Sequence, residues 1–409
     1  MYYLCGMKHV YPIDGVIQPY AWGGHHFLAD LTHRPTPTQE PEAELWMGAH
    51  PKGPAQVHLP DGSSIPLDQL IEDRGIDILG PQVYKQFSGT WPFLLKVLDV
   101  QQMLSIQCHP NKQQAEAGFA REEKAGIPRG APNRVFRDDN HKPELSVALS
   151  DFYLLHGFLP DEQIRERINQ MPTWHPLLEQ LAGGIRQLYA YLMRLPQAEV
   201  DELLQPLAQR LQASTPTDQE HPDFWARRAL KQYTRPNGSI DRGIFSIYCM
   251  HIVHLQPGQA IYQEAGVLHA YLAGQVVEIM ANSDNVMRGG LTVKHIDVDA
   301  LLGHVVFEAA QPQIINGRHL TSSAKSFPAP VPDFLLKEIN LNDMHPSYTR
   351  LGMAPSMFLV MEGEVSIVGS GLFFGSGQPF LLGAREDVEL RVMGDACRLF
   401  EATLPIGEA

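Results

Sequence analysis

The sequence predicts a mainly β protein in which a helical segment interrupts one β unit and a smaller β unit follows. Three observations carry this. Short apolar runs separated by Pro and Gly occupy the first ~150 residues, helical apolar spacing follows from about 160 to 235, and strand-like runs then return. The 409 residues exceed one ordinary core, and a length prior of ~150 residues per domain suggests two or three.

Taken in order, FLLKVLDV (Phe93 to Val100) and LSIQCH (Leu104 to His109) read as strands, and Pro110 ends the second. In the next segment Ile185, Leu188, Tyr189 and Leu192 recur at helical spacing, as do Val200, Leu203, Leu204, Leu207 and Leu211. Pro206 is expected to kink or end a helix there. Asn237 and Gly238 mark the return to β structure, with IFSIYCMHIVHL (Ile244 to Leu255) as a strand and Pro257 and Gly258 as its turn. Beyond about residue 330, MFLVMEGEVSIV (Met357 to Val368) and VELRVM (Val388 to Met393) alternate with Gly-rich turns. The expected division is 1–155 and 241–330 for the two parts of the larger β domain, 156–240 for the helical insertion, and 331–409 for the smaller β domain.

An apolar fraction of 44% with 19% charged residues is that of a soluble globular protein. The formal charge of -14, from 32 basic and 46 acidic residues, repels phosphate polymers, so neither nucleic acid nor an anionic membrane is an expected partner. A small anionic ligand would need a local group of cations. The opening MYYLCGMKHVYPIDG lacks the pattern of a secretory leader, and no apolar run reaches membrane-spanning length, so a cytoplasmic protein is expected. Cys5, Cys108, Cys249 and Cys397 show no paired spacing, which argues against a disulfide framework or a thiolate zinc site.

Residues two apart in a strand share a face, so Gln107 and His109 can reach one small object. Alone they carry little, since a His beside a Pro is more often structural. HKPEL (His141 to Leu145) and PGQAIYQEAGVLHAY (Pro257 to Tyr271) add Glu144 and His269. Two imidazoles, a carboxylate and an amide oxygen make a zinc set with a position open for water or substrate. Without thiolate, the ion stays strongly Lewis-acidic and other divalent metals are also accepted. His25, His26, His50, His251, His254 and His295 read as surface, turn or core histidines.

The stretch from Pro257 to Tyr271, with Gly258, Gly266 and then His269, resembles the second motif of the cupin superfamily. Glu264 stands where that motif usually has Pro. Gln107-Cys108-His109 resembles the first motif, with Gln for the first His and the carboxylate displaced to Glu144. With PYAWGG (Pro19 to Gly24), AELWMGAHPKGPA (Ala43 to Ala55), PFLLKVLDVQQMLSIQCHPNK (Pro92 to Lys112), HKPELSVAL (His141 to Leu149) and AGVLHAYLAGQVVEIMANSDNVMRGGLTVKHID (Ala265 to Asp297), the chain resembles the type I mannose-6-phosphate isomerases. The resemblance runs through most of the chain to about residue 320. Beyond that, and in the helical insertion, only placement and general character match.

This resemblance implies a cupin-type jelly-roll barrel as the catalytic domain, with an inserted helical domain and a smaller jelly-roll-like C-terminal domain. It implies one Zn2+ held by Gln107, His109, Glu144 and His269, and interconversion of mannose 6-phosphate and fructose 6-phosphate through an enediol. Arg288 aligns with the family's essential arginine and suits a phosphate, which a guanidinium holds through two hydrogen bonds. Lys96, Ser105 and Lys294 are candidates for binding the substrate. Lys96 interrupts an apolar run and needs a partner inside a barrel, whereas Lys294 also reads as a solvated strand residue. Trp22 and Glu44 stand in family-like motifs. Trp22 is taken as substrate-binding, with a buried structural tryptophan as its plainer reading. Glu278, Lys142 and Asp284 are equal candidates for the proton-transfer base, with His141 beside Lys142. The alternatives are a cupin metal-dependent oxidoreductase and a non-catalytic sugar-phosphate-binding cupin. The expected partner is a small sugar phosphate, and the expected state a monomer.

Overall fold

The computed structural model describes residues 9–407, so Cys5 and the opening residues read for a leader lie outside the described residues. The fold is mainly β, and its larger part is a cupin-type jelly roll built around the His269–Ala281 strand. The start of this strand pairs with Phe152–Phe158 and Ile106–Cys108, and its second half with Phe93–Val100 and Glu144–Ala148. Gly274, at φ +112°, stands where the partners change, and a Cβ there would lie 2.4 Å from the Asp151 carbonyl oxygen. Only glycine lets the strand turn this corner, and the turn brings residues from both halves to one interior.

The Ile106–Cys108 strand shows how the wall is used on both sides. Ile106 and Cys108 are fully buried in the cluster that also holds Trp174, Tyr189, Leu204 and Trp225 of the helical insertion, while Gln107 alternates to the other face. The helices, from Asp161–Asn169 to Pro222–Tyr233, thus pack on the outside of the barrel and share its core. Pro206 lies inside the Gln197–Gln212 helix and does not end it.

Two expectations about local structure need correction. The run from Ile244 to Leu255 is half helix: Gly243–Cys249 is helical, and only Met250–Leu255 is strand. All seven residues of that helix are buried, so it has no exposed face and its short run carries no period to distinguish it from a buried strand. The first ~150 residues also hold helices at Leu67–Gln86 and Lys112–Lys124. The second begins immediately after Pro110, where Asn111 and Gln114 form a reciprocal capping box.

The second large sheet contains Leu335–Asn342, Ser356–Ile367, Pro379–Leu382 and the long Val388–Thr403 strand. Val10–Asp14 joins this sheet by pairing with Pro379–Leu382, burying Val10, Tyr11 and Ile13. Residues near the start of the chain therefore extend the C-terminal sheet, which continues through Gln56–His58 to Ser64–Pro66. Among the described residues, no helix is long and apolar enough to cross a membrane. Cys108, Cys249 and Cys397 are buried free thiols.

Candidate metal centre

His109, Glu144 and His269 converge inside the jelly roll, with one donor atom from each within 4.8 Å of the others. All three are at least 96% buried. His109 Nδ1 lies 2.7 Å from the Asn285 carbonyl oxygen and His269 Nδ1 lies 3.1 Å from that of Val267. These contacts put the proton on Nδ1 in each ring and leave both Nε2 lone pairs facing Glu144. Nε2 of His109 is 3.6 Å from Glu144 Oε1, and Nε2 of His269 is 3.4 Å from Oε2. These separations are long for hydrogen bonds. They match the ~3.4 Å between donors of a tetrahedral zinc ion with bonds of ~2.1 Å. His109 Nε2 is buried and has no hydrogen-bond partner. Burial lowers the His109 pKa to about 4, keeping the imidazole neutral as a ligand must be. Burial opposes the Glu144 charge, but Lys142 and His109 outweigh it and hold its pKa well below the usual range. The donor set therefore fits zinc. Gln107, half-buried, lies directly across the ladder from His269 on one side and Arg288 on the other, which puts all three on one face.

A second group surrounds Lys96, whose Nζ is 3.0 Å from Glu278 Oε1 and 3.5 Å from Glu44 Oε2. Burial opposes its charge, yet Glu278, Glu44 and Glu144 together raise its pKa. Glu278 in turn accepts a 2.7 Å bond from the Tyr271 hydroxyl, which also meets Ser146 at 2.7 Å. Burial raises the Glu278 pKa, with Glu144 adding to the effect and Lys96 opposing it. Lys142 Nζ sits 2.7 Å from Glu144 Oε1. His141 turns elsewhere and pairs with Asp333 at 3.0 Å.

Asp284 is less enclosed. It pairs with Lys52 at 2.7 Å and lies 3.6 Å from His50 Nε2. Burial lowers the His50 pKa to about 4, outweighing Asp284. Near this edge Arg288, Arg137 and Lys294 form no ion pair or hydrogen bond through their side chains to any described residue. Burial and the Arg137 charge lower the Arg288 pKa; burial, Arg288, Arg137 and Lys52 lower that of Lys294. These like charges gather without an acidic partner among the described residues, in a protein of net charge -14. Lys294 lies outside any strand, in a bend. Ser105 is half-buried just before the Ile106–Cys108 strand. Trp22, half-buried, stacks on Tyr20 and packs, like Leu104, against the cluster that holds Leu98, Phe152 and Tyr271.

Arg137, Tyr271 and Lys52 were not singled out from sequence, and His50 was read only as a surface, turn or core histidine. Tyr271 was legible in principle, since it stands two residues after His269 in the same strand. Arg137 is in an irregular segment that no periodicity places, and only the hydrogen bond from its backbone N–H to Asn285 fixes it near the site.

Residues 10–161 match the family described as phosphomannose isomerase type I, catalytic domain. The mannose-6-phosphate isomerase of Escherichia coli K12 is 36% identical over 357 residues, covering 86% of this chain and 88% of that protein. The Bos taurus mannose-6-phosphate isomerase is 32% identical over 422 residues, covering 94% and 96%. A solved structure of the Salmonella typhimurium mannose 6-phosphate isomerase, bound to its substrate fructose 6-phosphate and zinc, superposes with a TM-score of 0.86 at 32% identity, covering 97% of this chain and 100% of that one.

Proposed function

Because this chain belongs to the type I phosphomannose isomerases, we propose how its own residues carry out the zinc-dependent interconversion of mannose 6-phosphate and fructose 6-phosphate. The observation that carries the reading is the trio His109, Glu144 and His269, with separations suited to a shared cation. Gln107, beside His269 and on its face, completes the proposed set. Bound zinc supplies Lewis acidity toward the sugar oxygens on which negative charge develops.

The unpaired cations Arg288, Arg137 and Lys294 bind the phosphate and fix the sugar with its other end toward the metal ligands. Trp22 and Ser105 line the approach. After ring opening, isomerisation takes the proton from C2 of mannose 6-phosphate, passes through an enediol in which O1 has gained a proton, and then delivers a proton to C1 while O2 loses its own to become the ketone oxygen. Glu278 is the proposed proton carrier. It is buried, burial raises its pKa, and Tyr271 and Lys96 hold its two oxygens. Lys142 is engaged by Glu144, and Asp284 by Lys52 at the rim, which suits them to orienting and charge-balancing roles.

Replacing Gln107, His109, Glu144 or His269 singly by Ala is expected to remove zinc and activity together. A variant that loses its zinc yet keeps full turnover would overturn the ligand set. The finer reading also includes a monomer acting in the cytoplasm, tested by sedimentation and cell fractionation. Domain boundaries near residues 155, 240 and 330, with Val10–Asp14 added to the last unit, are tested by limited proteolysis.

A further inference from the structure

Behind the metal centre, on the side away from Arg288 and Lys96, two polar side chains are buried without partners. Gln263 is fully buried, and His156 is 7% exposed. Neither nitrogen of His156 and neither amide atom of Gln263 makes a hydrogen bond within the protein. Leaving such groups unpaired is costly, so nearly all in native proteins are satisfied by protein or by buried water.

Their positions tie them to the proposed ligands. His156 lies directly opposite His269 across one ladder, and Gln263 directly opposite Glu144 across another. Opposed side chains of antiparallel strands share a face and lie within reach of each other. The Tyr262 backbone approaches the His156 ring without forming a well-aligned hydrogen bond to it, which brings the strand that carries Gln263 alongside His156. His156 is nevertheless outside the trio whose donor atoms meet within 4.8 Å, so it is not placed to bind the same ion directly.

We propose that His156 and Gln263 enclose an ordered water that hydrogen-bonds to Glu144 and thereby positions this carboxylate for the metal. The chemistry is complementary: the Gln263 amide N–H donates to the water, and the water donates to the free imidazole nitrogen of His156 and to the Glu144 carboxylate. The two residues are positioning residues that touch neither substrate nor metal. Groups that orient metal ligands in this way contribute about 10- to 100-fold to metal affinity. The inference rests on the metal reading given above.

The test uses the full-length protein, in wild-type form and as His156→Leu, Gln263→Met, their double variant, and His156→Gln, which puts a polar amide in place of the imidazole. Zinc affinity is measured by chelator competition, the visible spectrum of the Co2+-loaded protein is recorded, and the melting temperature of the metal-free protein is taken. Each apolar variant is expected to bind zinc about tenfold or more weakly and to shift the Co2+ bands, while its metal-free melting temperature is kept or rises. The double variant is expected to bind about as weakly as the poorer single one, since both lose the same water, and His156→Gln to recover most of the affinity. Unchanged affinity and spectrum in both apolar variants would overturn the proposal, as would zinc losses that simply follow melting temperature across the series. A wild-type protein that binds no zinc would overturn the metal reading and this one with it. Should the apolar variants fail to fold, a crystal structure of the zinc-loaded wild type decides: the proposal expects a water between the two side chains, and a dry contact would refute it.

Discussion

Replacing Lys96 by Met should damage both stability and turnover, because it removes the one ammonium between two buried carboxylates. The Lys96 side chain is 9% exposed, that of Glu278 3% and that of Glu44 10%, with separations of 3.0 and 3.5 Å. At an effective dielectric of ~20, a pair of charges 3.0 Å apart is worth roughly 5 kcal/mol. Removing one partner of a buried pair typically costs about 3 to 5 kcal/mol, because the other charge stays buried and unpaired. Lys96→Met is therefore expected to lose about 3 to 5 kcal/mol in urea unfolding of the metal-free protein at neutral pH. Lys96→Met with Glu278→Gln should recover a large part of this, since neutralising Glu278 removes half of the problem, yet it should stay inactive because the proposed proton carrier is gone. The reasoning is refuted if Lys96→Met costs less than about 1 kcal/mol, or if the double variant costs the sum of the two singles, which would mean no coupling between them.

Arg137→Ala and Arg288→Ala should each raise KM for mannose 6-phosphate about 10-fold or more, as each removes a charge-assisted contact worth about 1.5 to 3 kcal/mol; the same variants should weaken inhibition by inorganic phosphate, and unchanged phosphate inhibition in both would contradict the anion site. His50 gives a pH prediction whose sign follows from its depressed folded-state pKa of about 4 against about 6.5 unfolded. The unfolded state binds the proton first, so the contribution is intact above pH ~6.5 and is lost as pH falls toward 4. Between pH 7 and 5 the loss is about 2 kcal/mol, and His50→Gln should flatten the pH dependence of the unfolding midpoint by that amount. Gly266→Ala should destabilise the protein by about 2 kcal/mol or more, read as a lower melting temperature. Its φ is +79°, and a Cβ would lie 2.8 Å from Val306 Cγ2 and 2.9 Å from the His304 carbonyl oxygen.

The parts of the site on regular strands were legible in sequence for a simple reason. A period of two assigns a face, so Gln107 and His109 could be grouped before any coordinates, whereas Glu278, an odd number of residues after His269, comes to the same interior only through the corner at Gly274. What sequence could not supply is which strands meet. The pairing of His269 with both Gln107 and His156, and of Gln263 with Glu144, joins residues more than a hundred positions apart through register alone. Loop residues such as Arg137 carry no period, and His50 gave no sign of its approach to Asp284. The fold was read correctly where runs were long. It was misread at Gly243–Cys249, where seven buried residues of mixed type fit helix and strand equally well. The joining of Val10–Asp14 to a strand near residue 380 had no local signal at all.

The most direct test of the central claim follows fructose 6-phosphate formation from mannose 6-phosphate while the bound metal is counted. Purified protein is assayed as prepared, after chelation, and after stepwise return of zinc. The account predicts activity that vanishes with the metal and returns in proportion to zinc, reaching its plateau at one ion per chain, with His109→Ala showing neither binding nor recovery. Undiminished turnover in protein shown to be free of metal would contradict it.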